Sequence, residues 1–254
     1  RCSPFRILPR RLLPAGKGKI AAGMAVLRLG FEDRFEQGNR VGQTALGDHY
    51  AILGVDLPGT GFSSSLEERL TLQVAADLVA DVVRQEEAAI IAGHSVGSIV
   101  ASLAAQAPGS SIHTVLSIEG NLTPADAYFS GSAAGCESPS VFRAAFLARL
   151  DEMALESPTI QRYREQVAAA DPRSIWELGC DVAEWSRSQQ PGDVLVRSAK
   201  RVRYLFNPDN TPAESIDWLR DNEIVSIRLD GASHWMAVDQ PELMAQKLLE
   251  AIAA

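Results

Sequence analysis

The sequence predicts an α/β fold built on a mostly parallel, doubly wound sheet. Three observations carry that reading. Apolar, partly β-branched runs alternate with stretches of helical periodicity along most of the 254 residues, and strands joined by helical crossovers pair in parallel. The apolar run Ala88–Ala92 passes straight into Gly93-His94-Ser95-Val96-Gly97, and an Ala-rich helical stretch follows at once. The alternation lapses only between about Ala125 and Val196, where the segments are all helix-like. An insertion at that point of a parallel sheet lies over the carboxyl edge, where open α/β folds bind ligands.

The elements follow in order. "KIAAGMAVLRLGF" reads as a first strand ending at Gly30, and Tyr50–Val55 as a second, stopped by Asp56 and a Pro-Gly turn. From Ser65 to Gln85 the spacing of Leu72, Ala75, Val79 and Val82 predicts a helix, with Ser65 and Glu68 as its capping box. Ala88–Ala92 is the third strand, and "IVASLAAQAP" a helix that stops at Pro108. "HTVLSIE", "RVRYLF" and "EIVSIRL" supply three more strands. Two helices remain, one over Thr211–Arg220 and one from Pro241 with Met244, Leu248 and Ile252 on one face. The expected organisation is a core of residues 20–124 and 197–254, a helical cap over 125–196, and a basic segment over 1–19. Trp176 and Trp185 read as packing residues of that cap rather than as pocket lining.

Composition narrows the partners. A net charge of −8 disfavours non-specific binding to nucleic acid or to an acidic membrane surface. Apolar runs fall well short of the roughly 18 residues that span a bilayer. Cys2, Cys136 and Cys180 stand far apart with no CxxC pair, which argues against zinc and against a disulfide framework. That cysteine usage fits a reducing, cytoplasmic setting. The basic residues Arg1, Arg6, Arg10, Arg11, Lys17 and Lys19 read as a solvated edge, because the 7–15-residue apolar region of a secretory signal is missing. Oligomeric state leaves no signature.

Gly-x-Ser-x-Gly acquires meaning from its context between a strand and a helix. A turn that sharp strains the central residue and needs small flanking residues. It exposes the Ser95 hydroxyl above the sheet, with a helix N-terminus behind it that favours developing negative charge. No lysine follows the glycines, so a nucleotide loop is poorly supported. Serine needs a base, and the chain offers four histidines. His94 lies within the turn, while His49 and His113 stand where strands begin, at the wrong edge. His234 follows the last strand and precedes the last helix, which puts it on a carboxyl-edge loop with Ser95.

Together "GVDLPGTGFSS", "GHSVGS", "IEGNLTP" and "GASHWMAVDQP", in that order, resemble the α/β-hydrolase fold superfamily, in its serine esterase or lipase-like form with a helical cap. The resemblance runs from about residue 20 to the end. It implies a triad acid after one of two strands. Glu119 in "LSIEGNLTP" is the first choice, because it stands at a strand end and similar "EGNL" turns occur in relatives. Asp209 in "YLFNPDNTP" is the alternative, although its loop lacks the usual glycine and Pro208 and Asn210 suit an ordinary Asx turn. Asp56 reads as ordering its own loop. The resemblance further implies an oxyanion hole of two backbone N–H groups, from Val96 and Phe31. Relatives often carry His-Gly before that second donor, where this chain has Leu29-Gly30.

The activity expected is cleavage of a small-molecule carboxylic ester, thioester or lactone through an acyl-enzyme, with no metal or organic cofactor. The lack of a wide apolar lid in the sequence points to small or medium acyl groups. Two other classes stay open. One is amide or carbon–carbon bond hydrolysis, or cofactor-free peroxidation, on the same triad. The other is a non-catalytic relative that binds a small molecule.

Overall fold

A computed structural model of the chain describes residues 44–155 and 157–254. Among these residues the sheet has four parallel strands in the order β1 (Ile90–His94), β2 (Thr114–Ile118), β3 (Arg201–Phe206) and β4 (Ser226–Arg228). The register sets Ile90 beside Thr114 and Thr114 beside Arg201, and carries Leu205 beside Ile227. Every residue of β1 and β2 is buried, as a parallel sheet covered on both faces requires.

The period-two alternation sorts the side chains between two cores. Ile91, Val115, Tyr204 and Phe206 enter one face. It is covered by α2 (Leu72–Gln85), α3 (Gly97–Gln106) and residues of the later helices, among them Leu178, Leu195 and Leu219. Ile90, Ala92, Leu116 and Leu205 enter the other, under Leu46 of α1 (Ala45–His49) and the apolar stripe of α10 (Pro241–Ala253).

Between β2 and β3 the described chain is entirely helical. Two short 3-10 helices, Pro124–Tyr128 and Ser130–Gly135, lead into α4 (Pro139–Ala154), α5 (Pro158–Ala169), α6 (Pro172–Gln189) and α7 (Pro191–Val196). After β3 come α8 (Ala213–Asp221) and the single-turn α9 (Met236–Asp239). The insertion has its own core around Phe142, Phe146, Leu150, Tyr163 and Ile175, and Trp235 from the loop after β4 and Val238 from α9 join it. Its apolar void is about 10 Å³, scarcely room for one water. The predicted cap tryptophans both pack. Trp176 donates its indole N–H to the Cys136 carbonyl at 3.2 Å, and Trp185 lies against the first core.

Three expectations change. The helix predicted from Ser65 begins only at Leu72, with Thr71 as its N-cap accepting the Val74 N–H at 3.1 Å. The Ser65–Glu68 capping box does not form, because the chain ahead of the helix is tied elsewhere. Leu70 N–H donates to Glu177 at 2.8 Å and Leu72 N–H to Asp181 at 2.7 Å, both carboxylates of α6. The last strand is shorter than Glu223–Leu229, since only Ser226–Arg228 pairs with β3. Tyr50–Val55 pairs with none of the four strands among the described residues. The predicted first strand and the basic segment 1–19 lie outside the described residues.

Candidate active site

The site assembles along the carboxyl edge, where each strand end fixes the next. Ser95 N–H donates to Ile118 C=O at 3.0 Å, Glu119 N–H to Leu205 C=O at 2.8 Å, and Leu229 N–H to Phe206 C=O at 2.7 Å. Ser95, Glu119 and the loop after β4 are therefore held in register by backbone bonds that continue the ladder past the strands.

Ser95 sits at φ +51°, in the left-handed region that costs a non-glycine residue about 1–3 kcal/mol. From Ile90 to Ser102 it is the single residue that is not buried. The turn tolerates no side chain before it. A Cβ on Gly93 would stand 2.3 Å from the Gly97 carbonyl oxygen, a backbone atom that cannot yield. Ser95 spends its own N–H on the sheet, and the next N–H, that of Val96, has no acceptor among the described residues. It opens toward the N-terminal end of α3, where partial positive charge accumulates. Phe31, the other expected donor, lies outside the described residues, as do Leu29 and Gly30.

Glu119 and His234 meet directly. The distance from His234 Nδ1 to Glu119 Oε2 is 2.6 Å, with the carboxylate side chain only 5% exposed and the imidazole 24%. The other carboxylate oxygen accepts the Asn207 N–H and the Asn210 amide, each at 3.0 Å. Asn207 and Asn210 also donate to Ala232 C=O, two residues before His234, at 2.7 and 3.1 Å. One pair of amides thus positions both partners. The Glu119 backbone is strained too, at φ +43°. The turn it begins is pinned by Tyr204, whose hydroxyl donates to Gly120 C=O at 2.7 Å, and by Ser98 Oγ, which accepts the Asn121 N–H at 3.1 Å. Gly120 is required there, because a Cβ would come within 2.1 Å of Ser98 Oγ. Burial first, then the charges of Asp126 and Glu119, push the Tyr204 phenol well above its usual range, so it stays a donor.

The remaining candidates stand apart. Asp209 is exposed in the turn after β3, where its N–H donates to the Asn207 side chain at 3.2 Å. The structure brings Glu119, and not Asp209, to His234. Asp56 accepts the Phe62 N–H at 2.8 Å and so orders its own loop. His113 contacts Thr114 at the start of β2, and His49 ends α1. His94 is buried, its ring 4.4 Å from that of His234, which places β1's last residue against the imidazole. Trp235 packs edge-on against His234 at 5.3 Å.

Asn207, Asn210, Tyr204 and Ser98 were not among the sequence candidates. The available signal was the polar "NPDN" run directly after a carboxyl-edge strand end, which also held the alternative acid.

The strained serine between strand and helix, on a parallel sheet with a histidine–carboxylate pair at the same edge, defines a class, and the comparisons agree with it. Residues 28–247 match the alpha/beta hydrolase family. The chain belongs to that family, a family of hydrolytic enzymes. Among solved structures, an esterase from Thermogutta terrifontis is similar at 20% identity and a TM-score of 0.69, over 91% of this chain and 90% of that one. An enol-lactonase from Burkholderia xenovorans LB400 is similar at 16% identity and a TM-score of 0.70, over 98% and 96%. A deformylase from Pseudomonas putida S16 is similar at 14% identity and a TM-score of 0.64, over 89% and 92%. These likenesses concern the fold. No curated protein matches the chain in sequence. Among the described residues no helix is long and apolar enough to cross a membrane.

Proposed function

We propose that the protein is a serine hydrolase cleaving a small carboxylic ester, thioester or lactone through an acyl-enzyme. The observation that carries this reading is the 2.6 Å contact between His234 and the buried Glu119, at the strand edge that also holds Ser95. In this mechanism Nδ1–H of His234 donates to Glu119, which leaves Nε2 as the acceptor of the Ser95 proton. Ser95 Oγ attacks the acyl carbon, and the N–H groups of Val96 and Phe31 receive the charge that develops on the carbonyl oxygen. His234 returns the proton to the leaving alkoxide, and an activated water then resolves the acyl-enzyme by the same path. Glu119 keeps the imidazole tautomer and stabilises its cation. The helical insertion serves as a cap that shapes the acyl pocket.

The test is release of p-nitrophenol from a short-to-long acyl ester series, with Ser95→Ala alongside and a fluorophosphonate probe as a second readout. Turnover and labelling that both vanish in Ser95→Ala support the reading. A folded protein that cleaves no ester and ignores the probe refutes it and favours the small-molecule-binding alternative.

A further inference from the structure

His94 belongs to the Gly-x-Ser-x-Gly turn, yet the mechanism above gives it no part. It lies too deep to meet substrate, as the last residue of β1 and only 4% exposed. The period-two alternation of β1 sends its side chain to the face that carries Ile90 and Ala92. The same face packs Ala232, Met236 and Ala237, which bracket His234 in the chain. The His94 ring therefore lies under the histidine loop. Its centre is 4.4 Å from that of the His234 imidazole, with the two planes 46° apart. This ring contact is closer than the 4.8 Å between Phe129 and Phe146 in the insertion core.

The contact supplies a constraint that Glu119 cannot. The bond from Nδ1 to Glu119 fixes one corner of the imidazole, and about that corner a ring can still pivot. A pivot changes where Nε2, on the far side of the ring, points. Trp235 bounds the ring edge-on at 5.3 Å, and His94 lies against it at shorter range. The platform is also stiff relative to the nucleophile. His94 and Ser95 share a peptide in a turn whose backbone is tied by Ser95 N–H to Ile118 C=O at 3.0 Å and by Ser98 N–H to Ser95 C=O at 2.9 Å. One rigid peptide thus carries both the serine and the ring on which the histidine rests.

We propose that His94 is a positioning residue: its ring packs against the His234 imidazole and fixes it relative to Ser95. This rests on the hydrolase reading above. The working feature is the ring itself, so a phenyl group serves in its place and a ring-free side chain does not.

The experiment compares His94→Phe, which keeps a ring, with His94→Gln, which keeps a polar side chain and has none. His94→Leu is the second ring-free variant should His94→Gln not fold. Steady-state kinetics on p-nitrophenyl butyrate are read beside the downfield NMR signal of the His234 Nδ1–H proton, assigned by its loss in Glu119→Gln. Because a small misplacement of a catalytic group can cost a hundredfold, kcat should fall about ten- to a hundredfold in His94→Gln with KM within about twofold, and stay within about threefold in His94→Phe. The Nδ1–H signal should persist in His94→Phe and broaden by exchange with water in His94→Gln. A kcat unchanged in His94→Gln, or lost as fully in His94→Phe, overturns the proposal while leaving the hydrolase intact. Should the wild type show no Ser95-dependent turnover, the hydrolase reading is what fails. The proton signal then decides the positioning separately: a signal kept with the phenyl ring and broadened without a ring supports it, and the same behaviour in both variants overturns it.

Discussion

Glu119 and Asp209 each follow a strand on the same edge, with polar neighbours and a turn. What distinguishes them is contributed by other parts of the chain. Asn207 and Asn210 aim their N–H groups at the Glu119 carboxylate, and Tyr204 and Ser98 hold its turn, so the side chain is buried with its oxygens satisfied. Asp209 receives no such support and faces solvent. Neither motif read by itself exposes this, because the partners of Glu119 come from β3, from the "NPDN" loop after it and from α3. The consequence is a sharp difference between two isosteric substitutions. Glu119→Gln keeps the shape but favours the wrong imidazole tautomer, and kcat should fall by about 10³–10⁴-fold. Asp209→Asn, at an exposed position, should change kcat by about twofold or less. Steady-state kinetics on one p-nitrophenyl ester separates the two, and equal effects would remove Glu119 from the mechanism.

At the scale of the elements, local signals were read well where composition and periodicity mark the element itself. "RVRYLF" is β3 over the same residues, Arg201–Phe206, and the last helix starts at Pro241 as its fixed φ and missing N–H suggest. The start of α2 was misplaced, although Ser65 and Glu68 have the right spacing for a cap. Leu70 N–H, just ahead of the N-cap Thr71, is taken by Glu177, and the first N–H of the helix, that of Leu72, by Asp181, both carboxylates more than a hundred residues away in sequence. Tertiary carboxylates outcompete a local box because they also neutralise the positive end of the helix dipole from a partly buried position. Thr71→Ala should therefore cost about 1 kcal/mol in urea unfolding, as the loss of a true N-cap does. Ser65→Ala should stay within about 0.5 kcal/mol of wild type. The reverse ranking would restore the earlier helix start.

Across the whole molecule, the question is what fastens the helical insertion to the sheet scaffold. One seam is the α6 carboxylates on the start of α2; another is Trp235, shared between the site loop and the insertion core. A third is Asp126. Its Oδ2 accepts the N–H groups of Leu122 and Thr123 at 2.8 and 2.9 Å and the hydroxyl of Ser215, from α8, at 2.6 Å. These bonds favour the charged form, yet burial outweighs them and holds the carboxyl above its usual value of 3.8. The folded protein consequently binds the Asp126 proton more tightly than the unfolded chain does. The stability this supplies is fully present below about pH 3.8 and is lost as pH rises through the higher folded value. Asp126→Asn keeps an oxygen acceptor for the same donors and removes the titration. The melting temperature of Asp126→Asn minus that of wild type should then climb as pH increases from about 4 toward neutrality, other carboxylates cancelling in the difference. A difference that stays flat across that range would mean that hydrogen bonding, and not burial, controls this carboxyl, and that the seam carries no electrostatic strain at working pH.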